Sequence, residues 1–88
     1  MSWKYEINIK PALYEARELL DNGVAEAETV RRLGAALADQ LAALPTPVKA
    51  SFSTLATKFR RVRSRNGCDA LLAYLYDVAD EEKVRLGL

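Results

Sequence analysis

The 88-residue chain holds no histidine and one cysteine, Cys68. Without histidine there is no Ser-His or Cys-His nucleophile pair, no imidazole metal ligand and no histidine pH switch. One cysteine excludes an internal disulfide and a cysteine-built zinc site. No apolar run approaches membrane-spanning length, and Met1-Ser2-Trp3-Lys4-Tyr5 lacks the apolar core of a signal peptide, so a cytoplasmic location is expected and no membrane partner. Dinucleotide-binding, P-loop and serine-elbow motifs are all missing. The sequence therefore carries no catalytic, cofactor-binding or metal-binding residues, and a non-enzymatic protein is expected.

Acidic residues are missing from one long stretch. No Asp or Glu falls between Asp39 and Asp69, and this interval holds Lys58, Arg60, Arg61, Arg63 and Arg65. The formal net charge is only +1, so an electrostatic partner would meet a local patch and not the chain as a whole.

Half of the residues are apolar and 28% are charged, a composition suited to one small globular domain over residues 1–88. Residues 3–9 alternate, with Trp3, Tyr5, Ile7 and Ile9 on one side, which predicts a half-buried strand. A helix follows from Pro11 to Asn22, with Leu13, Ala16, Leu19 and Leu20 inward and Gly23 supplying the left-handed stop. A second helix, Val24 to Leu44, carries a seam of Val30, Gly34, Leu37, Leu41 and Leu44, with Leu33 beside it. Gly34 within that seam costs about 1 kcal/mol against alanine and marks close approach by a neighbour. Ala35, Ala36, Ala42 and Ala43 on the outer face suit an exposed helix; self-association is the sharper reading. Glu28 and Arg32 are spaced as an ion pair.

The third helix is expected from Pro47 to about Arg65, with Thr46 as cap and Val48, Phe52, Leu55, Phe59 and Val62 inward. Asn66-Gly67 is expected to end it, Asn66 also capping a fourth helix that buries Cys68, Leu71, Leu72, Leu75, Val78 and Ala79 and is the most buried of the four. Tyr5 and Tyr76 fall on inward arcs, Tyr14 and Tyr74 at the margins. Val84, Leu86 and Leu88 then alternate with Lys83, Arg85 and Gly87 as a second strand, after a turn at Asp80 to Glu82. The expected fold is α+β and predominantly helical. A four-helix bundle is closed by a two-stranded antiparallel sheet of the terminal segments, in the order β-α-α-α-α-β.

Asp77, Asp80, Glu81 and Glu82 lack a calcium-loop pattern and read as a solvated helix end. Burial and the adjacent Asp69 make a reactive Cys68 thiolate unfavourable. The remaining feature is the basic run Lys58, Arg60, Arg61, Arg63 and Arg65. Cations at a helix C-terminus complement its dipole without any ligand, but lysine would serve as well. Arginine suits bidentate recognition of carboxylate or phosphate. The expectation is a small adaptor, inhibitor or regulator that docks these five residues on an acidic protein surface. Non-specific contact with nucleic-acid phosphates is the alternative. A helix-turn-helix reading is disfavoured, because the cations are expected before the turn. The terminal strands and the alanine-rich face are the two surfaces that a homodimer could use, and the sequence leaves the oligomeric state open.

Overall fold

The computed structural model describes residues 9–45 and 49–86, with the side chains of 82–86 left out of the description. It contains four helices: α1 (Ile9–Asp21), α2 (Glu26–Ala42), α3 (Lys49–Arg61) and α4 (Arg65–Leu86).

The helix termini follow from local chemistry. Gly23 adopts φ 85°, and its N–H donates to the Leu20 carbonyl while the Val24 N–H donates to that of Leu19, both at 3.0 Å. This paired closure requires a left-handed residue, which glycine takes without Cβ strain. The first turn of α2 has no side-chain cap on Ala25, but Glu26 and Glu28 place negative charge at its positive end.

The core lies between α2 and the two helices after it. Leu37, Leu41, Phe52, Phe59 and Leu75 are fully enclosed, joined by Val30, Leu33, Leu44, Leu55, Val62, Cys68 and Leu72. Burying each large apolar side chain contributes about 1.5–3 kcal/mol. The seams expected on α2 and α3 are therefore the surfaces that meet. A Cβ on Gly34 would collide with the Phe59 carbonyl oxygen and lie 2.8 Å from Val62 Cγ1. The missing side chain lets the two backbones close on each other.

The expected terminal sheet is not formed. Among the described residues there is no strand, and α4 continues without a turn through Val84 to Leu86. The proposed turn, Asp80-Glu81-Glu82, holds neither glycine nor proline, and strong helix formers surround it. Two alternating apolar positions are too few to overturn a helix already running. Ile9, expected at the end of the first strand, is the first residue of α1; residues 1–8 lie outside the described residues. The fold is a helical bundle and not α+β, and dimerisation through paired terminal strands loses its basis. Thr46, Pro47 and Val48 also lie outside the described residues.

Three further expectations change. Helix α2, not α4, is the most buried, because it packs against each of the other three helices. Tyr76 is exposed, as are Tyr14 and Tyr74. The break between α3 and α4 falls at Val62-Arg63-Ser64 and not at Asn66-Gly67. Ser64 is the cap: its Oγ accepts from the Gly67 N–H at 3.1 Å, while its carbonyl accepts from the Cys68 N–H at 3.0 Å. A Cβ on Gly67 would come within 2.9 Å of Ser64 Oγ and 3.3 Å of Val62 Cγ2, so this glycine makes room for the cap.

Gly34→Ala is expected to lower the denaturant midpoint, the helix-propensity gain being outweighed by about 1–3 kcal/mol of overpacking. Equilibrium urea unfolding followed by circular dichroism measures it; an unchanged or raised midpoint would show that α2 and α3 separate freely.

Candidate docking surface

The shifted helix break divides the basic run between two elements. Lys58, Arg60 and Arg61 occupy the last turn of α3, Arg63 lies in the connection, and Arg65 opens α4. All five are exposed.

Two of them have work inside the fold. Arg60 Nη2 lies 2.9 Å from Asp39 Oδ1, which ties α3 to α2. Arg63 turns back on α3, with Nη1 donating to the Val62 carbonyl at 2.7 Å and to the Arg60 carbonyl at 3.1 Å. Those carbonyls belong to a helix end, where no intrahelical donor reaches them. Arg63 therefore supplies a C-terminal cap, and its arginine identity needs no partner molecule.

Lys58, Arg61 and Arg65 make no ion pair among the described residues. Lys58 and Arg61 sit where the α3 dipole favours cations. Arg65 does not. It stands at the start of α4, where backbone N–H groups and the dipole favour negative charge. The fold disfavours a cation at that position, and this separates Arg65 from the other four.

A second feature adjoins Arg65. Among the described residues helix α1 packs on α2 alone, and a groove of about 190 Å³ remains between α1 and α4, floored by α2. Leu13, Ala16 and Leu20 form one wall, Cys68 and Leu72 the other, and Thr29, Val30 and Leu33 the floor. Arg17, Glu26, Arg65 and Asp69 line its polar margin. Leu13 and Leu20, expected to face inward, are 37% and 40% exposed because no helix covers that side of α1. Thr29 is 2% exposed, and its Oγ1 has no hydrogen-bond partner among the described residues. Sequence reasoning missed this groove, since α1 carries a full inward stripe and nothing in that stripe reveals how many neighbours cover it.

Cys68 is 3% exposed; burial, then the negative charge of Asp69, pushes its thiol pKa up. The thiol is thus held protonated, opposite to what a nucleophile requires. On the outer surface of α2, Glu28 accepts from Arg31 Nε at 2.8 Å and from Arg32 Nε at 3.0 Å. The expected pair is a triad. Hydrogen bonds from Arg31, then from Arg32, hold the Glu28 carboxyl at a pKa of about 2.

Among the described residues there is no group of three or more His, Cys, Asp or Glu able to hold a metal ion, and no helix long and apolar enough to cross a membrane. Comparison of the chain with protein-family models, with curated proteins and with solved structures finds no match.

The lowered Glu28 pKa sets a direction of pH dependence. A depressed carboxylate stabilises the fold above its unfolded-state pKa of about 4.3, and that contribution disappears as pH falls through the folded value. A carboxyl-detected NMR titration is expected to place Glu28 well below the ordinary glutamate value. Titration at that ordinary value would mean that the triad is not held in solution. Ser64→Ala is expected to cost about 1 kcal/mol in urea unfolding, through loss of the α4 cap.

Proposed function

We propose that this protein is a non-enzymatic protein-binding module, an adaptor, inhibitor or regulator, that docks on an acidic partner surface through Lys58, Arg61 and Arg65. One observation carries the reading: Arg65 is an exposed cation at a helix N-terminus with no ion pair among the described residues, next in the chain to a helix end that carries two more. Three cations without ion-pair partners among the described residues can each meet a carboxylate without breaking a described contact. Arginine at two of the three positions permits bidentate pairing. Arg60 and Arg63, expected to share the role, are assigned to holding α3 in place. Exposed pairs of this kind steer association and set partner choice more than they add affinity.

Nucleic-acid binding is the second reading, favoured by α3 itself. That helix has no acidic residue, and its exposed positions include Lys49, Ser53, Thr54, Thr57, Lys58, Arg60 and Arg61. Such side chains contact phosphates. The three-residue connection also places Arg65 and Asn66 at the start of the following helix, which answers the earlier objection to a helix-turn-helix arrangement. The protein-binding reading is preferred because the net charge is only +1 and the unpaired cations are few, a small patch for a phosphate backbone that is bound through many cationic contacts.

The deciding experiment is affinity capture from the native host at physiological salt, with Arg61→Glu/Arg65→Glu as the comparison and Arg60→Ala as a control for fold integrity. A directly bound protein is expected on wild type and on the control, and to be lost from the double reversal. Retention of that protein by the double reversal sinks the reading. A gel shift on mixed-sequence DNA or RNA that weakens steeply between 50 and 200 mM salt, on the scale of about 10-fold or more, would favour the alternative.

A further inference from the structure

The groove between α1 and α4 has no part in the docking surface. Its walls are apolar side chains, Leu13, Leu20 and Leu72 among them, and Thr29 places one hydroxyl in an otherwise apolar floor. Thr29 is 2% exposed, and its Oγ1 has no hydrogen-bond partner among the described residues. We infer that the groove is a binding site for a small neutral aromatic molecule carrying one hydroxyl, a ligand of the phenol class. Its ring lies against Leu13, Leu20 and Leu72, and its hydroxyl donates to Thr29 Oγ1.

Three observations support the assignment. The first is chemical. A buried hydroxyl without a partner costs free energy, and a ligand that supplies the missing hydrogen bond recovers it. Threonine in a helix has two accessible χ1 wells, so the Thr29 hydroxyl can turn toward an entering group. An apolar site with one polar atom matches a ligand with one polar atom. The second is size. An apolar cavity of about 150 Å³ holds benzene, and this groove of about 190 Å³ has room for one ring and a small substituent but not for a helix. Ring docking also covers Leu13 and Leu20, which are 37% and 40% exposed. The third is charge. Arg17 and Arg65 share the margin with Glu26 and Asp69, so neither an anion nor a cation meets a one-sided field there. A neutral ligand is the match. This inference concerns the groove and is independent of the docking role given to Lys58, Arg61 and Arg65.

Phenol and toluene are similar in size and differ in the hydroxyl, so the pair isolates its contribution in a two-dimensional NMR titration of the full chain. Phenol is expected to give saturable shifts at the amides of Ala16, Thr29, Cys68 and Leu72, which line the groove. It is expected to bind about 2- to 10-fold more tightly than toluene, the worth of one net hydrogen bond. No saturable shift, shifts centred away from the groove, or equal affinity for the two probes overturns the inference. Thr29→Val keeps the side-chain shape and is expected to remove the preference by weakening phenol alone; a preference that survives overturns the assignment of the hydroxyl. The same variant is expected to raise the urea midpoint of the free protein, because an unpaired buried hydroxyl is lost. A lowered midpoint counts against the site. Leu20→Asp, at an exposed wall position, is expected to weaken both probes several-fold at unchanged helical circular dichroism, and unaltered binding overturns the placement of the ring. Benzoate binding more tightly than phenol would put an anion at the arginines and overturn the neutral class. Groove shifts that appear on raising the protein concentration alone assign the groove to a second copy of the chain and overturn the small-molecule reading.

Discussion

The backbone approach of α2 and α3 at Gly34 is the constraint on which the rest of the arrangement depends. With no Cβ at that position, the Phe59 carbonyl and the Val62 side chain sit against the α2 backbone. Phe52, Leu55 and Phe59 share one buried core with Leu37, Leu41 and Leu44. The direction in which α3 leaves α2 then decides where the short Val62-Arg63-Ser64 connection can send α4. Helix α4 completes the core with Cys68, Leu72 and Leu75 on the side of α2 that α1 leaves open. Side chains around the connection hold this geometry from both ends: Arg63 closes the carbonyls of α3, and Ser64 opens α4.

The same connection gives the charged surface its character. Five cations close together in sequence become three classes in space. Arg60 clamps α3 to Asp39, Arg63 caps a helix end, and Lys58, Arg61 and Arg65 are left to solvent. The unusual member is Arg65, because its position at the head of α4 opposes the backbone field there.

Much of the helical core was legible because its signals are periodic. Val30, Leu33, Gly34, Leu37, Leu41 and Leu44 repeat at helical spacing, and so do Phe52, Leu55, Phe59 and Val62; nine apolar members and the glycine are buried. The stop at Gly23 was legible because few residues besides glycine accept its φ. Three features were not. Asn66-Gly67 resembles a helix terminus more closely than Val62-Arg63-Ser64 does, yet α3 ends at Arg61, four residues before the expected Arg65, and the serine cap and the Arg63 carbonyl contacts hold the break there. At the C-terminus, alternation over Val84 and Leu86 mimics a strand but yields to continuous helix formers. On α1, periodicity marks which side is apolar but cannot tell how many helices will cover it. That ambiguity concealed the groove. Of the five site residues named from sequence, the roles of Arg60 and Arg63 depend on Asp39 and on backbone carbonyls, partners that charge counting cannot see.

Helix α1 differs from the other three in having one neighbour. Among the described residues its attachment to the bundle runs through α2 alone, whereas α2, α3 and α4 all touch one another. Separating α1 breaks one interface and leaves the three-helix core closed; separating any other helix opens at least two. Among the described residues α1 is therefore held by the fewest interfaces, the arrangement in which an element opens at lower free-energy cost than the core. When α1 lifts, Val30 and Leu33 become accessible along one side of α2. The bundle thus has two levels of closure: α1 on α2, and the mutual contacts of α2, α3 and α4.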